Sequence, residues 1–370
     1  MRFDRRLIFH FDWVLLFLVL SLCAISLLNM YSAGTSLITS KGESPIYIKQ
    51  FFWLIIGLTM MIVCFGIDYR VINEYAYIIY GISLVLLIIL FLYGELTRGT
   101  QRWFVVGGFS FQPSELAKIS LLLALSRFFN ANEIEAGYNL RQLWLPFLLM
   151  AVPFLLIMKQ PDLGTAMVLV IIFVSMVFFV GIKWRSFIIV ATSLVLFMPL
   201  AWLFLKDYQK ERIMTFLNPE MDPLGAGYHI IQSIIAIGSG GLIGKGFLKG
   251  TQSQLRFLPE HQTDFIFSVF AEEWGFLGGL LLIILFMSLT FWGLKIARQS
   301  RDLLGTLIAF SITMLIFGEM LVNIGMVLGI LPVVGIPLPF FSYGGSALVV
   351  MMMGIGLLLN ISMRRFMLQP

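Results

Sequence analysis

Charged residues are scarce in this sequence. Asp, Glu, Lys and Arg make up 12% of its 370 residues, whereas a soluble globular domain carries roughly 25%. Hydrophobic residues account for 59% of the chain. This balance excludes a soluble enzyme or binding domain and predicts a polytopic protein that crosses a membrane several times and is surrounded by membrane lipids.

Cysteine and histidine are also rare, with two and three residues respectively. Cys23 and Cys64 both lie within long apolar runs, where a thiol packs as a small hydrophobic group, so no disulfide framework is expected. His10, His229 and His261 have none of the spacings of a metal-ligand motif. Their arrangement therefore argues against a structural zinc site.

A true nucleotide-binding P-loop is missing, although GSGGLIGKG at residues 238–246 resembles one. The motif G-x-x-x-x-G-K-[ST] requires glycine where this chain has Ser239, and serine or threonine where it has Gly246. We therefore expect no nucleotide cofactor. A glycine-rich turn with Lys245 can still present backbone N–H groups and a cation to phosphate oxygens, so a phosphate contact and an ordinary loop both remain open.

Apolar runs near the roughly 20 residues that cross a bilayer occur ten times. They lie at about 11–33, 47–67, 75–94, 114–130, 144–160, 163–182, 186–205, 266–294, 307–332 and 346–363. The first is of span length and lacks a clear signal-peptide cleavage site, so it is expected to remain as a helix. We predict an all-α polytopic membrane protein, a single domain over residues 1–370, with a long loop at about 206–265 between the seventh and eighth spans.

Lys and Arg are distributed unevenly between the two sides of the predicted spans. Segments on the side of the N-terminus carry thirteen of them, and the short segments on the other side carry about five. Because cytoplasmic segments are enriched in Lys and Arg, we expect both termini in the cytoplasm and the loop 206–265 outside. The net charge of +5 then reflects topology, and no nucleic-acid partner is expected.

Polar residues gather at the predicted outer ends of the spans, where lipid does not tolerate them unless they line a wet or protein-lined space. In the segment 98–118, Glu115 and Lys118 are three residues apart and share one helix face. They either neutralise each other as an ion pair or line an outward-facing cavity. Arg102, beside Trp103, is either an interfacial anchor or a phosphate contact.

Two aspartates follow the same pattern. Asp162 lies in the tight turn KQPDLGT between two spans, where it can cap the next helix. Asp264 lies where the long loop re-enters the membrane, next to Phe265 and Ile266. Desolvation against apolar walls suits a carboxylate to act as a general base, although a helix cap would also explain an aspartate at this position.

The segment VVGIPLPFFSYGGS, residues 333–346, combines glycines and prolines near membrane depth. Irregular backbone is tolerated there only where it is packed in protein or lines a cavity. We therefore predict a re-entrant cavity wall and include Ser342, in its SYGGS turn, among the cavity residues.

Long blocks of this sequence resemble the signature segments of the SEDS (shape, elongation, division and sporulation) family, and most closely its RodA branch. The resemblance covers nearly the whole chain and includes the ten-span layout. The blocks are RWFVVGGFSFQPSELAK, QPDLGTAMV, DPLGAGYHIIQSIIAIGSGGLIGKGFLKGTQSQLRFLPEHQTDFIF, AEEWGFLGG and GILPVVGIPLPFFSYGGSALV.

This resemblance implies a peptidoglycan glycosyltransferase of the bacterial cytoplasmic membrane that polymerises lipid II on the outer face during cell elongation. It implies an essential catalytic aspartate in the LPEHQTDF block, here Asp264, and places Glu115, Lys118 and Asp162 in the central cavity. It also implies two partners, a class B penicillin-binding protein and the rod-shape cytoskeletal complex.

The chemistry of glycan extension requires a base for the attacking hydroxyl and positive charge for the departing polyprenyl diphosphate. We assign Asp264 as the base. The residues considered for the diphosphate are Lys118, Arg102, Lys245 and Arg256. A divalent cation, Mg²⁺ or Mn²⁺, bridging diphosphate oxygens and Asp162 is another source of positive charge, although no residue spacing identifies a metal site.

Two other functions compete with this one. A lipid II flippase would also have many spans with intramembrane acids and lysines, but such carriers usually bind near the midplane between internal repeats, and we find no convincing repeat. A non-catalytic scaffold that only recruits a transpeptidase would have no need of Asp264. The gathering of polar residues on one side favours chemistry over transport.

Overall fold

A computed structural model of the chain describes residues 11–34, 45–93, 102–106, 109–134, 136–204, 207–219, 226–255 and 262–365. The helices, numbered here in chain order, are α1 (Trp13–Gly34), α2 (Ile46–Gly66), α3 (Tyr69–Glu74), α4 (Ala76–Tyr93), α5 (Pro113–Ala131), α6 (Trp144–Lys159), α7 (Leu163–Val180), α8 (Trp184–Phe204), α9 (Asp207–Leu217), α10 (Ala226–Gly240), α11 (Thr251–Gln254), α12 (Ile266–Arg298), α13 (Leu303–Val327) and α14 (Gly345–Arg364). Two strands, β1 (Phe104–Val106) and β2 (Phe109–Phe111), precede α5.

Each of the ten predicted spans corresponds to one helix. Seven of these helices are long and apolar enough to cross a membrane, namely α1, α2, α4, α7, α12, α13 and α14. Helix α6 is equally apolar but has 16 residues, and α5 carries several buried polar side chains. The prediction of a polytopic, mainly helical membrane protein is confirmed.

The long segment predicted at 206–265 includes short helices. It contains α9, α10 and α11, and α10 packs along α12. The segment before α5 also differs from the all-α prediction, because β1 and β2 form a small antiparallel hairpin with Phe104 opposite Phe111. The strands consist mainly of phenylalanine and valine, residue types that are enriched in β-strands.

The protein interior is centred on α13 and α14, which bury most of their residues, whereas α2 and α4 expose many apolar side chains on their outer faces. Small residues let α14 approach α2 closely. A Cβ added to Gly356 would lie 2.5 Å from the backbone oxygen of Met61. This use of glycine at a helix contact is typical of membrane proteins, in which close van der Waals packing drives association.

Helix α12 is interrupted at Gly275, which has φ 67° and ψ −164°. An interruption of a helix at membrane depth leaves backbone N–H and C=O groups without their helical hydrogen-bond partners. The glycine-rich segment 238–246 supplies those partners: Lys245 N and Gly246 N donate to the carbonyls of Glu272 and Glu273, at 3.0 Å each, and Phe276 N donates to Gly241 O at 2.8 Å. The segment that resembles a P-loop therefore completes a broken helix.

Candidate active site

One end of the helix bundle contains a cavity of about 670 Å³, within the roughly 300–1,000 Å³ of ligand-binding clefts. Its walls come from segments far apart in sequence: the β1–β2 hairpin, the first turns of α5, α7 and α14, helix α9, the residues before α12, and the irregular segment between α13 and α14. The polar residues lining it are Arg102, Ser110, Gln112, Glu115, Asp162, Thr165, Arg212, Gln262, Thr263, Asp264 and Tyr343.

The structure brings four of the predicted site residues to this cavity, namely Arg102, Glu115, Asp162 and Asp264. The prediction that the segment 333–346 forms a cavity wall is confirmed, since Val334, Gly335, Pro337 and Tyr343 line it. Lys118, Ser342 and Lys245 lie elsewhere, and Arg256 is outside the described residues.

Asp264 immediately precedes the start of α12. It is not the N-cap of that helix, because α12 begins at Ile266 with Phe265 in the capping position. Its backbone carbonyl accepts a hydrogen bond from Asn323 Nδ2 at 3.0 Å, and Asn323 Nδ2 also donates to Ile336 O at 2.7 Å. A buried side chain of α13 therefore fixes the backbone of Asp264 relative to the opposite wall.

Gly335 allows the Asp264 carboxylate to lie against that wall. It has φ +73°, a conformation that L-residues rarely adopt, and a Cβ at this position would lie 3.3 Å from Asp264 Oδ2. The sequence leaves this contact unpredicted, because glycine here suggests only a turn.

Ser342 lies behind the cavity wall and is absent from its lining. Its hydroxyl donates to Thr263 O at 2.6 Å and accepts from Leu338 N at 2.8 Å, while Tyr343 N donates to Gln262 O at 2.9 Å. The prediction that Ser342 lines the cavity is therefore not met. Instead, Ser342 and Tyr343 hold the backbone of Thr263 and Gln262, the two residues that precede Asp264.

Asp162 caps α7, as the sequence predicts, and also faces the cavity. Its Oδ1 accepts from Thr165 N at 3.3 Å, and its Oδ2 accepts from Thr165 Oγ1 and Gln112 Nε2, both at 2.9 Å. Capping and cavity lining are therefore not alternatives here. Gln112, which sequence reasoning missed, links this cap to the start of α5.

Glu115 and Lys118 form the predicted ion pair, with a third member from α13. Lys118 Nζ lies 2.6 Å from Glu115 Oε2 and 2.6 Å from Glu319 Oε1, and its side chain is 1% exposed. Glu115 lines the cavity, whereas Lys118 points between helices beneath it. A buried ammonium held by two carboxylates is not available to a substrate phosphate, so the structure does not support the expected diphosphate contact of Lys118.

Among the described residues, two arginines line the cavity. Arg102 is tied to the turn before Asp162, because its Nε donates to Gln160 O at 3.4 Å and its Nη2 donates to Pro161 O. Arg212 lies on α9 and was missed from the sequence, where its surroundings appear as one long loop. The sequence DYQKERIMTFL gives no signal that could have found it, because this stretch is short and polar throughout.

Lys245 does not line the cavity. Its Nζ donates to Glu272 Oε1 at 2.7 Å and to Thr251 Oγ1 at 2.8 Å, and Glu272 also accepts from Gln252 N at 3.1 Å. This lysine therefore closes the glycine-rich segment onto α12. The prediction that it contacts diphosphate has no geometric support from this placement.

Comparison with known proteins places these features in one family. Residues 13–366 match the family model FTSW_RODA_SPOVE, described as cell cycle protein. The chain belongs to this family. One relative is the peptidoglycan glycosyltransferase MrdB of Escherichia coli K12. It is 43% identical to this chain over 360 residues, which are 97% of this chain and 95% of MrdB.

Solved structures agree with this assignment to the FTSW_RODA_SPOVE family. A chain from a peptidoglycan synthase complex that coordinates polymerization and crosslinking aligns with a TM-score of 0.82 at 35% identity, covering 96% of this chain and 98% of that one. The rod shape determining protein RodA of Thermus thermophilus aligns with a TM-score of 0.71 at 31% identity, covering 96% and 98%.

The side chains that line this cavity restrict how a divalent cation could bind. Within the residues that the structure describes, no three His, Cys, Asp or Glu side chains form a metal-binding group. Asp162 Oδ2 accepts from both Gln112 and Thr165. The residues fit Mg²⁺ or Mn²⁺ only in a site with one protein carboxylate, completed by water and substrate phosphate oxygens, as magnesium often is.

Proposed function

We propose that this chain is a peptidoglycan glycosyltransferase that polymerises lipid II into glycan strands, with Asp264 as its general base. The single observation that carries the proposal is one cavity that holds Asp264 together with two arginines. A base and positive charge are the two requirements of this reaction. Full-length similarity to peptidoglycan glycosyltransferase MrdB supports the same activity.

The reaction joins two lipid-linked glycans in one displacement. The acceptor's sugar 4-hydroxyl attacks the anomeric carbon of the donor, a new C–O bond forms, and the bond from that carbon to the diphosphate oxygen breaks. Asp264 takes the hydroxyl proton, and polyprenyl diphosphate leaves with the electron pair. Displacement at an α-linked donor inverts the configuration and gives a β-linkage.

The walls around Asp264 hold it in place for this role. Asn323 and Ser342 fix the backbone at Asp264 and Thr263, and Gly335 leaves room for the Asp264 carboxylate beside the re-entrant segment. Catalysis by a positioned base depends on such geometry, because the carboxylate must reach the attacking hydroxyl at hydrogen-bond distance. These three residues are supporting groups, and Asp264 alone is assigned to proton transfer.

Asp162 is the residue that would hold a divalent cation. When bound, Mg²⁺ or Mn²⁺ would supply Lewis-acid stabilisation of the diphosphate. In this chain Asp162 orients Gln112 and Thr165 at the cavity wall. We therefore expect Asp162 to shape the donor site whether or not a cation participates.

The cavity opens to the outer face of the cytoplasmic membrane in this proposal, with both termini in the cytoplasm. At the other end of the bundle, basic residues are anchored by acids: Arg70 Nη2 lies 2.8 Å from Asp302 Oδ2, and Arg364 Nη1 lies 2.8 Å from Asp68 Oδ2. Enrichment of basic residues at that end supports a cytoplasmic location for it.

A class B penicillin-binding protein and the rod-shape cytoskeletal complex are the proposed partners. The similarity to a chain of a peptidoglycan synthase complex supports the first. Large apolar side chains on the outer faces of α2, α4 and α8, such as Phe52, Ile78 and Leu196, are exposed. These faces are available to lipid or to a partner's transmembrane helix.

Polymerisation by the purified chain tests this function. The chain would be reconstituted with its transpeptidase partner, whose crosslinking is blocked with a β-lactam, and supplied with lipid II. We expect uncrosslinked glycan strands and release of one polyprenyl diphosphate per added unit, and none from Asp264→Asn. Transfer of lipid II between leaflets without polymer would instead support the flippase.

A further inference from the structure

The departing diphosphate needs cations in the cavity, because developing negative charge in a water-poor site is stabilised by fixed positive groups. Among the residues that the structure describes, Arg102 and Arg212 are the basic side chains that line it. Lys118 is held between Glu115 and Glu319, and Lys245 is paired with Glu272 away from the cavity. Two of the four predicted phosphate contacts are therefore already paired with buried acids.

Helix α9 presents Arg212 on its protein-facing side. Gln209 and Thr215, three residues to either side, are 6% and 4% exposed. Residues at this spacing share one helix face. Met214 and Leu217, on other faces, are 52% and 70% exposed. The position of Arg212 on the buried face explains how a charged residue of a polar helix comes to line the cavity.

We propose that Arg212 and Arg102 together bind the diphosphate of the lipid-linked donor. This inference rests on the proposed function and names its donor site. Arg102 donates to the backbone carbonyls of Gln160 and Pro161, so its guanidinium is held at the turn that precedes Asp162 before substrate binds. Arg212, on α9, adds a second planar guanidinium with N–H donors.

The choice of arginine is chemically significant. A guanidinium presents parallel N–H groups that match two oxygens of a phosphate, whereas an ammonium acts as a point charge. Two such groups suit a diphosphate, which has oxygens on two phosphorus atoms. They place the leaving group between α9 and the β1–β2 hairpin side of the cavity, in the same space that Asp264 faces. The glycine-rich segment 238–246 then has no part in holding the donor.

Binding measured without turnover tests this proposal. The parent is Asp264→Asn in nanodiscs, and the probes are lipid II, farnesyl diphosphate and farnesyl monophosphate. We expect Arg212→Gln to weaken lipid II and farnesyl diphosphate binding by about 10- to 100-fold, the loss of charge-assisted hydrogen bonds to one fork, and to reduce the preference for diphosphate over monophosphate.

Lys210→Gln is the matched control. It removes one positive charge from the same helix, two residues away, where the side chain is half-buried and outside the cavity lining. Its affinities should stay within about twofold of the parent, because a charge that makes no direct contact with the ligand contributes little. Affinity of Arg212→Gln within the same range would overturn the proposal. So would an equal loss in both variants, which indicates general attraction of anions to α9.

A folding defect and a failure of the proposed function are both distinguishable from this outcome. Arg212→Lys retains the charge, and it decides the test if Arg212→Gln does not fold. Intermediate diphosphate binding by this variant supports binding by two guanidinium groups, and binding equal to that of the parent overturns it.

If the wild-type chain forms polymer while Arg212→Gln binds like the parent, the proposed donor site is wrong and the proposed glycosyltransferase activity stands. If binding depends on Arg212 but no polymer forms, the glycosyltransferase is wrong and the diphosphate site stands.

Discussion

The ammonium of Lys245 lies 2.7 Å from Oε1 of Glu272, a carboxylate with no exposed side-chain surface. This pair joins the glycine-rich segment to the carbonyls that the break in α12 leaves unpaired. Gly244 permits the close approach, since a Cβ there would lie 2.1 Å from Glu273 O. The glycines and the lysine that make GSGGLIGKG resemble a phosphate-binding loop therefore hold this segment against α12.

Loss of Lys245 should destabilise the protein without weakening substrate binding. Lys245→Met leaves Glu272 buried without its counter-charge, and breaking a buried pair from one side costs about 3–5 kcal/mol. We expect a lower melting temperature in detergent and an unchanged KM for lipid II. The double variant Lys245→Met with Glu272→Leu should recover much of the loss. A raised KM at an unchanged melting temperature would show that this lysine contacts substrate.

The buried group of Glu115, Lys118 and Glu319 should respond unequally to loss of its members. Lys118→Gln leaves two buried carboxylates near each other, whereas Glu319→Gln leaves one carboxylate paired with one ammonium. We expect Lys118→Gln to cost about 3–5 kcal/mol of stability and Glu319→Gln less than half of that. Thermal unfolding of the two purified variants measures the difference. The opposite order would mean that the group is not organised around Lys118.

We expect activity to require glycine at position 335 for two reasons: its backbone conformation and the space that its missing side chain leaves for Asp264. Gly335→Ala introduces roughly 1–2 kcal/mol of left-handed strain and places a Cβ 3.3 Å from Asp264 Oδ2. We expect a fall in kcat of at least about tenfold, because a small displacement of a general base is costly.

Gly329→Ala is the control for that strain. Gly329 has φ +71°, lies in the same irregular segment, and has only isoleucine side chains nearby. It should lose similar stability while keeping most of its kcat. Equal kcat losses in the two variants would attribute the Gly335 effect to the backbone alone.

Much of the architecture could be predicted from hydropathy. Each of the ten apolar runs became a helix, because a span's length and apolar composition depend only on local sequence. Successive spans run in opposite directions, so the predicted topology put Arg102, Asp162 and Asp264 on one side, and in the structure all three line one cavity at one end of the bundle. Their meeting in one cavity needed the tertiary structure.

The remaining features depend on partners far away in sequence. Glu319 follows Lys118 by 201 residues, so the ion pair of Glu115 and Lys118 suggested nothing about a third member. Helix α9 was hidden because DYQKERIMTFL is polar and short, and its buried face is defined only by the surfaces it contacts. Ser342 was placed in the cavity on composition, whereas its hydrogen bonds direct it towards Thr263.

Single-turnover consumption of lipid II by Asp264→Asn tests the central claim most directly. The experiment uses saturating lipid II, the intact complex with the transpeptidase partner, and a parallel measurement of lipid II binding. A general base contributes about 10²- to 10⁴-fold, so we expect the rate to fall by at least about 100-fold while affinity stays near that of the wild type. A rate close to that of the wild type, at equal binding, would contradict the assignment of Asp264 as the base.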